Sequence, residues 1–515
     1  MKSGNFSVSW LVRILDAFSA ALLRVPAQFL LPAAVAVGLF EAALVVLFVH
    51  NDVMLYADGA YFVFALATGS PWMLKWRAIA ARATVYVLTV WPVEQAQNWW
   101  HFVPHQLAVM NAVSFYGVPM ALFCLACRLA WMADRRLMIF PLIQCLLGDF
   151  LAWGFPSELL LGSGLLWVAL LLLAGKQRPG IGFWLAYVAL VFTHELALPA
   201  ALICAAVALH FVAVRHGRGA AWWLWLAALA VPVQVMLVVR ALGGAVGSQG
   251  NALHSLNPLY VLANPTLFLL CLVGLAGLAV QRWCSGQTLG LAGVMAGSKA
   301  GLVAALCAAV LTVNHQWWQF DACRYDARTW MALVMTGLAV VFARLMWAGL
   351  PPPLPAAGQV RAGWGTALCG ALVLHIVMAG VFLNHWRQAM RAELAVEQRL
   401  SMAHGTRILS IRDVRPYWSA EERAVHDGLR VEWVMPYRAF VLTDVARPRT
   451  LIYDDTTWYR SDCDNKAAIA AAGSPFQSTA LDDWLAFACT QPKPPPLDGM
   501  KQRLGRFFRN FIAMR

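Results

Sequence analysis

Residues 27–50, AQFLLPAAVAVGLFEAALVVLFVH, run directly into residues 51–61, NDVMLYADGAY. As a helix the first stretch is long enough to cross a hydrocarbon core of roughly 30 Å. It is too long for the core of a signal peptide and has no small-residue cleavage site, so it predicts a retained first span. The second stretch delivers Asp52 and Asp58 to the point where that span leaves the membrane. The segment ahead, Met1 to Pro26, carries Lys2, Arg13 and Arg24 and reads as cytoplasmic.

Working outward, the same character holds along most of the chain. Of 515 residues, 61% are hydrophobic and 13% charged, which excludes an ordinary soluble domain. Trp residues cluster at block ends, as at Trp99-Trp100, Trp222-Trp223 and Trp317-Trp318, where lipid meets water. The net charge is +13, but the excess sits in short loops between apolar blocks, so it argues for membrane orientation and against nucleic acid. The eleven cysteines form no framework, and Cys124-x-x-Cys127 lacks a second ligand pair for a metal.

Hydropathy predicts an all-α polytopic membrane protein of about eleven transmembrane helices, spanning residues 27–384. Span one is followed by a long loop, 51–104, and span two runs near His105–Ala130. Span three reaches about Trp153, and span four covers about Glu158–Ala174. Span five ends at His194-Glu195 and span six at Arg215 and Arg218. Spans seven to eleven end near Leu242, Arg282, Asn314, Met346 and Leu383. Under this scheme the cytoplasmic turns are basic, whereas Gly154–Ser157, Thr193–Glu195 and Gly243–Asn264 contain no Lys or Arg. This places the N-terminus in the cytoplasm of a bacterial inner membrane and the C-terminus in the periplasm.

Residues 385–515 are soluble in composition and predict a small periplasmic α+β domain. Thr406–Ile411, Arg430–Thr443 and Thr450–Trp458 cluster β-branched and aromatic residues. Cys463 and Cys489 pair there if the compartment is oxidising, and otherwise remain two thiols. Met500–Arg515 interleaves basic and apolar residues, as expected of a helix lying on anionic membrane lipid or docked on its own domain.

Carboxylates near membrane depth are costly and tend to be functional. Asp52 and Asp58 follow span one, Glu158 sits in the Phe155-Pro-Ser-Glu158 turn, and Glu195 follows His194 in the next outer turn. All four face one aqueous side in this topology. Spans three and five are short, which sinks Glu158 and Glu195 below the lipid surface. Each acid has a plainer reading, as a helix cap or a self-satisfied turn. On the same face lie Lys75, Arg77 and Arg82, and later His315 and Arg324. These cations can hold a phosphate or only snorkel to lipid headgroups. Tyr61, Trp72, Trp317 and Trp318 can stack on sugar faces or anchor the interface.

A cytoplasmic N-terminus, one span, then a long outer loop opening on Asp58-Gly-Ala-Tyr61 resembles the GT-C superfamily of membrane glycosyltransferases. The resemblance is to the bacterial branch with an Asp-Gly-x-Tyr/Phe first loop. It implies interfacial helices in that loop and an inverting transfer from a polyprenyl-phosphate-linked sugar to a glycan, lipid or protein acceptor. It assigns the catalytic base to the first-loop acid, Asp58, with Asp52 beside it. Lys75, Arg77, Arg82 and Arg324 would then steady the departing phosphate, and Glu158, His194, Glu195, His315 and Tyr61 would orient substrate hydroxyls. The first loop has no Asp-x-Asp, so no divalent metal or other cofactor is assigned. The competing readings are a lipid-linked glycan polymerase or ligase, a transporter or flippase, and a scaffold. A transporter predicts ionisable residues at mid-span.

Overall fold

The computed structural model describes residues 22–23, 27–69, 71–76, 80–149, 156–216, 230–236, 325–350, 358–404, 407–429, 434–442, 450–455, 459–471 and 479–492. Lipid offers no partner for backbone amides, so a long apolar block must satisfy them internally as a helix. The first block does so over α1 (Ala27–His50), with the boundaries that hydropathy predicts. One face of α1 is apolar and exposed, Leu39 and Val46 among its residues, and the opposite face packs into the bundle.

The segment after α1 continues through α2 (Asp58–Ala67) and α3 (Trp91–Trp100). α4 (Pro104–Ala133) starts with Pro104, and the Gln106 side chain accepts from Val103 N–H at 3.2 Å, capping the first turn. Beyond it Asp134 Oδ2 pairs with Arg136 at 2.6 Å, and Arg135 lies over the Trp131 ring. α6 (Leu159–Lys176) packs along α4 where a side chain at Gly164 would strike Leu122. α7 (Ile181–Val191), α8 (Leu198–His216) and α9 (Tyr325–Ala348) complete the described bundle with α10 (Gly358–His404).

Among the described residues five stretches are long and apolar enough to cross a membrane: Phe29–His50, Pro104–Ala133, Leu159–Lys176, Glu195–Ala213 and Trp330–Ala348. By length and composition this is a membrane protein. Most of expected spans seven to nine lies outside the described residues.

Two expected spans take another form. Expected span three is a broken helix: a 3-10 turn Arg135–Met138, the single turn α5 (Ile139–Ile143) and a π-helical turn Gln144–Asp149. Pro141 withholds a backbone donor and Gly148 disfavours helix, so the apolar run does not form one regular rod. Expected span five, α7, has 11 residues and covers roughly 16 Å, about half a hydrocarbon core.

The expected domain boundary at His385 falls inside α10, whose 47 residues continue beyond Leu383 into the C-terminal region. There β1 (Arg407–Ser410) pairs in parallel with β2 (Thr450–Tyr453), within two of the runs predicted to be strands. Between them lie α11 (Ala420–Leu429) and α12 (Met435–Val441). The β-branched run Arg430–Thr443 is thus partly helical. Pro436 fits the first helical turn, and burial of all seven α12 residues outweighs their strand propensity. Arg438 on α12 is fully buried because Glu393 of α10 receives it, with Nε to Oε1 at 3.1 Å. α13 (Arg460–Asp464) and α15 (Thr479–Thr490), separated by α14 (Lys466–Ala471), are joined by the Cys463–Cys489 disulfide. The expected terminal helix Met500–Arg515 lies outside the described residues.

Candidate functional site

The turn after α1 is held in an unusual backbone. Asp52 has φ 53° and Ala57 φ 47° with ψ −132°, both at positive φ, where side-chain-bearing residues seldom settle. Between them a single 3-10 turn, Val53–Leu55, is fully buried. Three contacts clamp it. Asp52 Oδ1 accepts from His105 Nε2 of α4 at 2.9 Å, Trp386 Nε1 of α10 donates to Asn51 O at 2.7 Å, and Tyr56 Oη donates to Leu429 O at 3.0 Å. Such strain persists only where surrounding structure over-determines it.

Asp58 is the first residue of α2 and is 8% exposed. Gly59 follows because nothing larger fits: a Cβ there would overlap Met54 O and lie 3.0 Å from Pro156 Cγ. The Asp-Gly step is therefore packed on Pro156, two residues before Glu158. All ten residues of α2 are buried, between α4 and α12. The expectation of an amphipathic helix lying on the membrane surface is corrected here, because the C-terminal region covers the face that would have met lipid. Tyr61 Oη donates to Leu74 O at 3.3 Å, and its ring centroid lies 4.9 Å from that of Tyr437.

The two glutamate turns meet through Arg82. Its Nη1 donates to Glu158 Oε1 at 2.7 Å, while Nη2 and Nε reach Glu195 Oε1 and Oε2 at 2.6 and 3.1 Å. Thr84 N–H donates to Phe192 O at 3.1 Å, fixing the turn just after the 3-10 segment Ala80–Arg82. A side chain at Gly162 would crowd Thr193 Oγ1, so α6 and the His194-Glu195 turn are in close contact as well. Glu158 is fully buried and His194 2% exposed. Leu196 N–H donates to His194 Nδ1 at 3.1 Å, which puts the proton of the neutral ring on Nε2. That Nε2 is buried and has no hydrogen-bond partner among the described residues.

The structure thus brings Arg82, Glu158, His194 and Glu195 together and packs Gly59 on Pro156, two residues before Glu158, while Asp52 pairs with His105. Of the four acids expected on one aqueous side, Glu158 and Glu195 meet through Arg82, whereas Asp52 is paired with His105. Arg82 is also corrected as a free phosphate ligand: two carboxylates already share its guanidinium. A cation that the sequence reading passed over, Arg328, is buried in the first turn of α9 within electrostatic reach of His194. Arg77, His315, Trp317, Trp318 and Arg324 lie outside the described residues, and Lys75 is described only as part of the π-helical turn Trp72–Trp76. Among the described residues no three His, Cys, Asp or Glu side chains are grouped to hold a metal ion.

A second polar group was missed in sequence. Glu41 lies within α1, 1% exposed, and His375 Nε2 of α10 approaches its Oε1 at 3.8 Å. Asp149 accepts from Gln144 Nε2 at 2.6 Å and from Ser163 Oγ at 2.8 Å. The available signal was a lone carboxylate, Phe40-Glu41-Ala42, inside an otherwise apolar span.

No protein-family model, curated protein or solved structure matches the chain.

Proposed function

We propose that the chain is a bacterial inner-membrane glycosyltransferase that moves a sugar from a polyprenyl-phosphate donor to a glycan, lipid or protein acceptor on the periplasmic face. The observation that carries this reading is the seating of Gly59 on Pro156. The residue after Asp58 thereby packs two residues before Glu158, which Arg82 joins to Glu195, within a helical membrane protein.

In this mechanism Asp58 takes the proton of the acceptor hydroxyl as its oxygen attacks the anomeric carbon. The bond from that carbon to the phosphate oxygen breaks, and polyprenyl phosphate leaves with the electron pair, inverting the centre. His194 Nε2–H donates to a sugar hydroxyl, and Arg328 faces the developing phosphate charge. Arg82 holds the two acidic turns at one spacing. The finer architecture belongs to the same proposal: about eleven spans, a cytoplasmic N-terminus and a periplasmic α+β domain. The Cys463–Cys489 bridge suits an oxidising compartment.

Proteoliposomes containing the protein and a panel of polyprenyl-phosphate-linked sugars test the reading. Release of polyprenyl phosphate that depends on added acceptor supports it. No release from any donor or acceptor of the panel contradicts it. Glu41, Asp149 and His375 favour transport as the second reading, since mid-span ionisable groups line substrate and ion paths. Flux of an intact glycolipid without cleavage of its phosphate bond would select that alternative.

A further inference from the structure

Glu41 stands nine residues before the end of α1, about 14 Å from it at helical rise. A carboxylate so deep in a membrane needs a proton or a cationic partner. Its described contacts are modest: Cys145 Sγ donates to Oε1 at 3.3 Å, and His375 Nε2 is 3.8 Å from the same oxygen. The other oxygen, Oε2, is buried without a hydrogen-bond partner.

That side chain borders a cavity of about 30 Å³ whose walls also include Gln144, Asp149 and Ser163. Gln144 places one amide N–H and Ser163 its hydroxyl on Asp149. Gln144 Oε1 is left buried without a partner, like Glu41 Oε2. The unpartnered polar atoms bordering the cavity are thus two acceptors, Glu41 Oε2 and Gln144 Oε1, and one donor, Trp167 Nε1. Gln144 and Asp149 are the first and last residues of a wide π-helical turn, a form that recurs at functional sites. Gly148 leaves room for the Gln144 amide, which any side chain there would strike.

We infer that this cavity binds a small monovalent cation, held by Glu41, Gln144 and Asp149, either as a proton carried on Glu41 or hydronium, or as Na⁺. The volume admits a water-sized occupant and excludes a sugar or lipid headgroup. The groups facing Glu41 are Cys145 and Asp149 from the broken helix and His375 from α10, and Cys127 of α4 stands behind Cys145. Glycosyl transfer is not required for this site, and its test reads binding alone.

Dicyclohexylcarbodiimide reacts with protonated carboxyl groups in apolar surroundings, and mass spectrometry of the full-length protein in detergent locates the adduct. With choline as the only other cation, Glu41 is expected to label. If the occupant is a proton, labelling falls as pH is raised, by about tenfold per pH unit above the midpoint. If it is Na⁺, replacing choline by Na⁺ at fixed pH protects Glu41 by about tenfold at saturation. Either response supports the site. Labelling indifferent to both pH and Na⁺, or no adduct on Glu41 under any condition, overturns it. Glu41→Gln should remove the adduct, and Asp149→Asn should weaken protection by Na⁺; the wild-type measurement stands if either variant fails to fold.

Discussion

Arg82 Nη1 donates to Glu158 Oε1 across 2.7 Å, joining the segment after α1 to a turn 76 residues later. The same guanidinium is bidentate on Glu195, so one side chain fixes three segments. Removing it leaves a fully buried carboxylate without its cation. Arg82→Gln is expected to lower stability by about 3–5 kcal/mol, read as thermal unfolding in detergent. Arg82→Lys should recover only part of that loss, because an ammonium cannot match both carboxylates in a fixed fork. Unchanged unfolding of Arg82→Gln would remove the clamp from this account.

Ala57 holds φ 47° with a side chain that favours negative values. Ala57→Gly should therefore raise stability by about 1 kcal/mol through relieved strain. If the strain serves to aim Asp58, turnover falls in the same variant. A variant that is less stable would show that the Ala57 methyl group contributes packing greater than its strain.

Asp462 accepts from Tyr437 Oη at 2.9 Å and from Trp484 Nε1 at 3.0 Å, entirely buried. Burial moves its carboxyl from the usual 3.8 up to about 6, although both hydrogen bonds pull the other way. The folded state thus holds a proton that the unfolded chain has released. This stability is fully present below about pH 4 and is lost as pH rises through 6, a span of about 3 kcal/mol. Asp462→Asn should abolish that dependence. Hydrogen exchange across residues 450–490 in the full-length protein, compared between wild type and variant from pH 4 to 7, measures it. Parallel profiles would contradict the assignment.

Much of the bundle was legible because its cause is local. The apolar run Ala27–His50 can only be a helix in lipid, and Arg407–Ser410 and Thr450–Tyr453 carry strand-forming side chains. Helix breaks were harder to read. Gln144–Asp149 looks apolar, and its wide turn follows from how Gln144 and Ser163 reach Asp149. Met435–Val441 carries β-branched and aromatic letters, yet Glu393, 45 residues earlier, makes a helix there favourable by receiving Arg438. At the site, chemistry-bearing residues could be named but not paired. Arg82 reads as a phosphate ligand until Glu158 and Glu195 are seen to occupy it, and Asp52 reads as catalytic until His105 claims it.

Orientation is testable without any substrate. Reporter fusions after Arg178, Arg218 and Arg515 should report cytoplasm, cytoplasm and periplasm. A short α7 makes the second fusion the sensitive one. A cytoplasmic signal at Arg515 would move the proposed site to the wrong compartment for the chemistry proposed.

Asp58→Asn measures the central claim most directly, since it keeps shape and removes only the capacity to take a proton. Acceptor-dependent release of polyprenyl phosphate by the variant in proteoliposomes should fall by at least about a hundredfold, with abundance and membrane insertion unchanged. Release at the wild-type rate would show that Asp58 is not the base and would withdraw the catalytic assignment from the first loop.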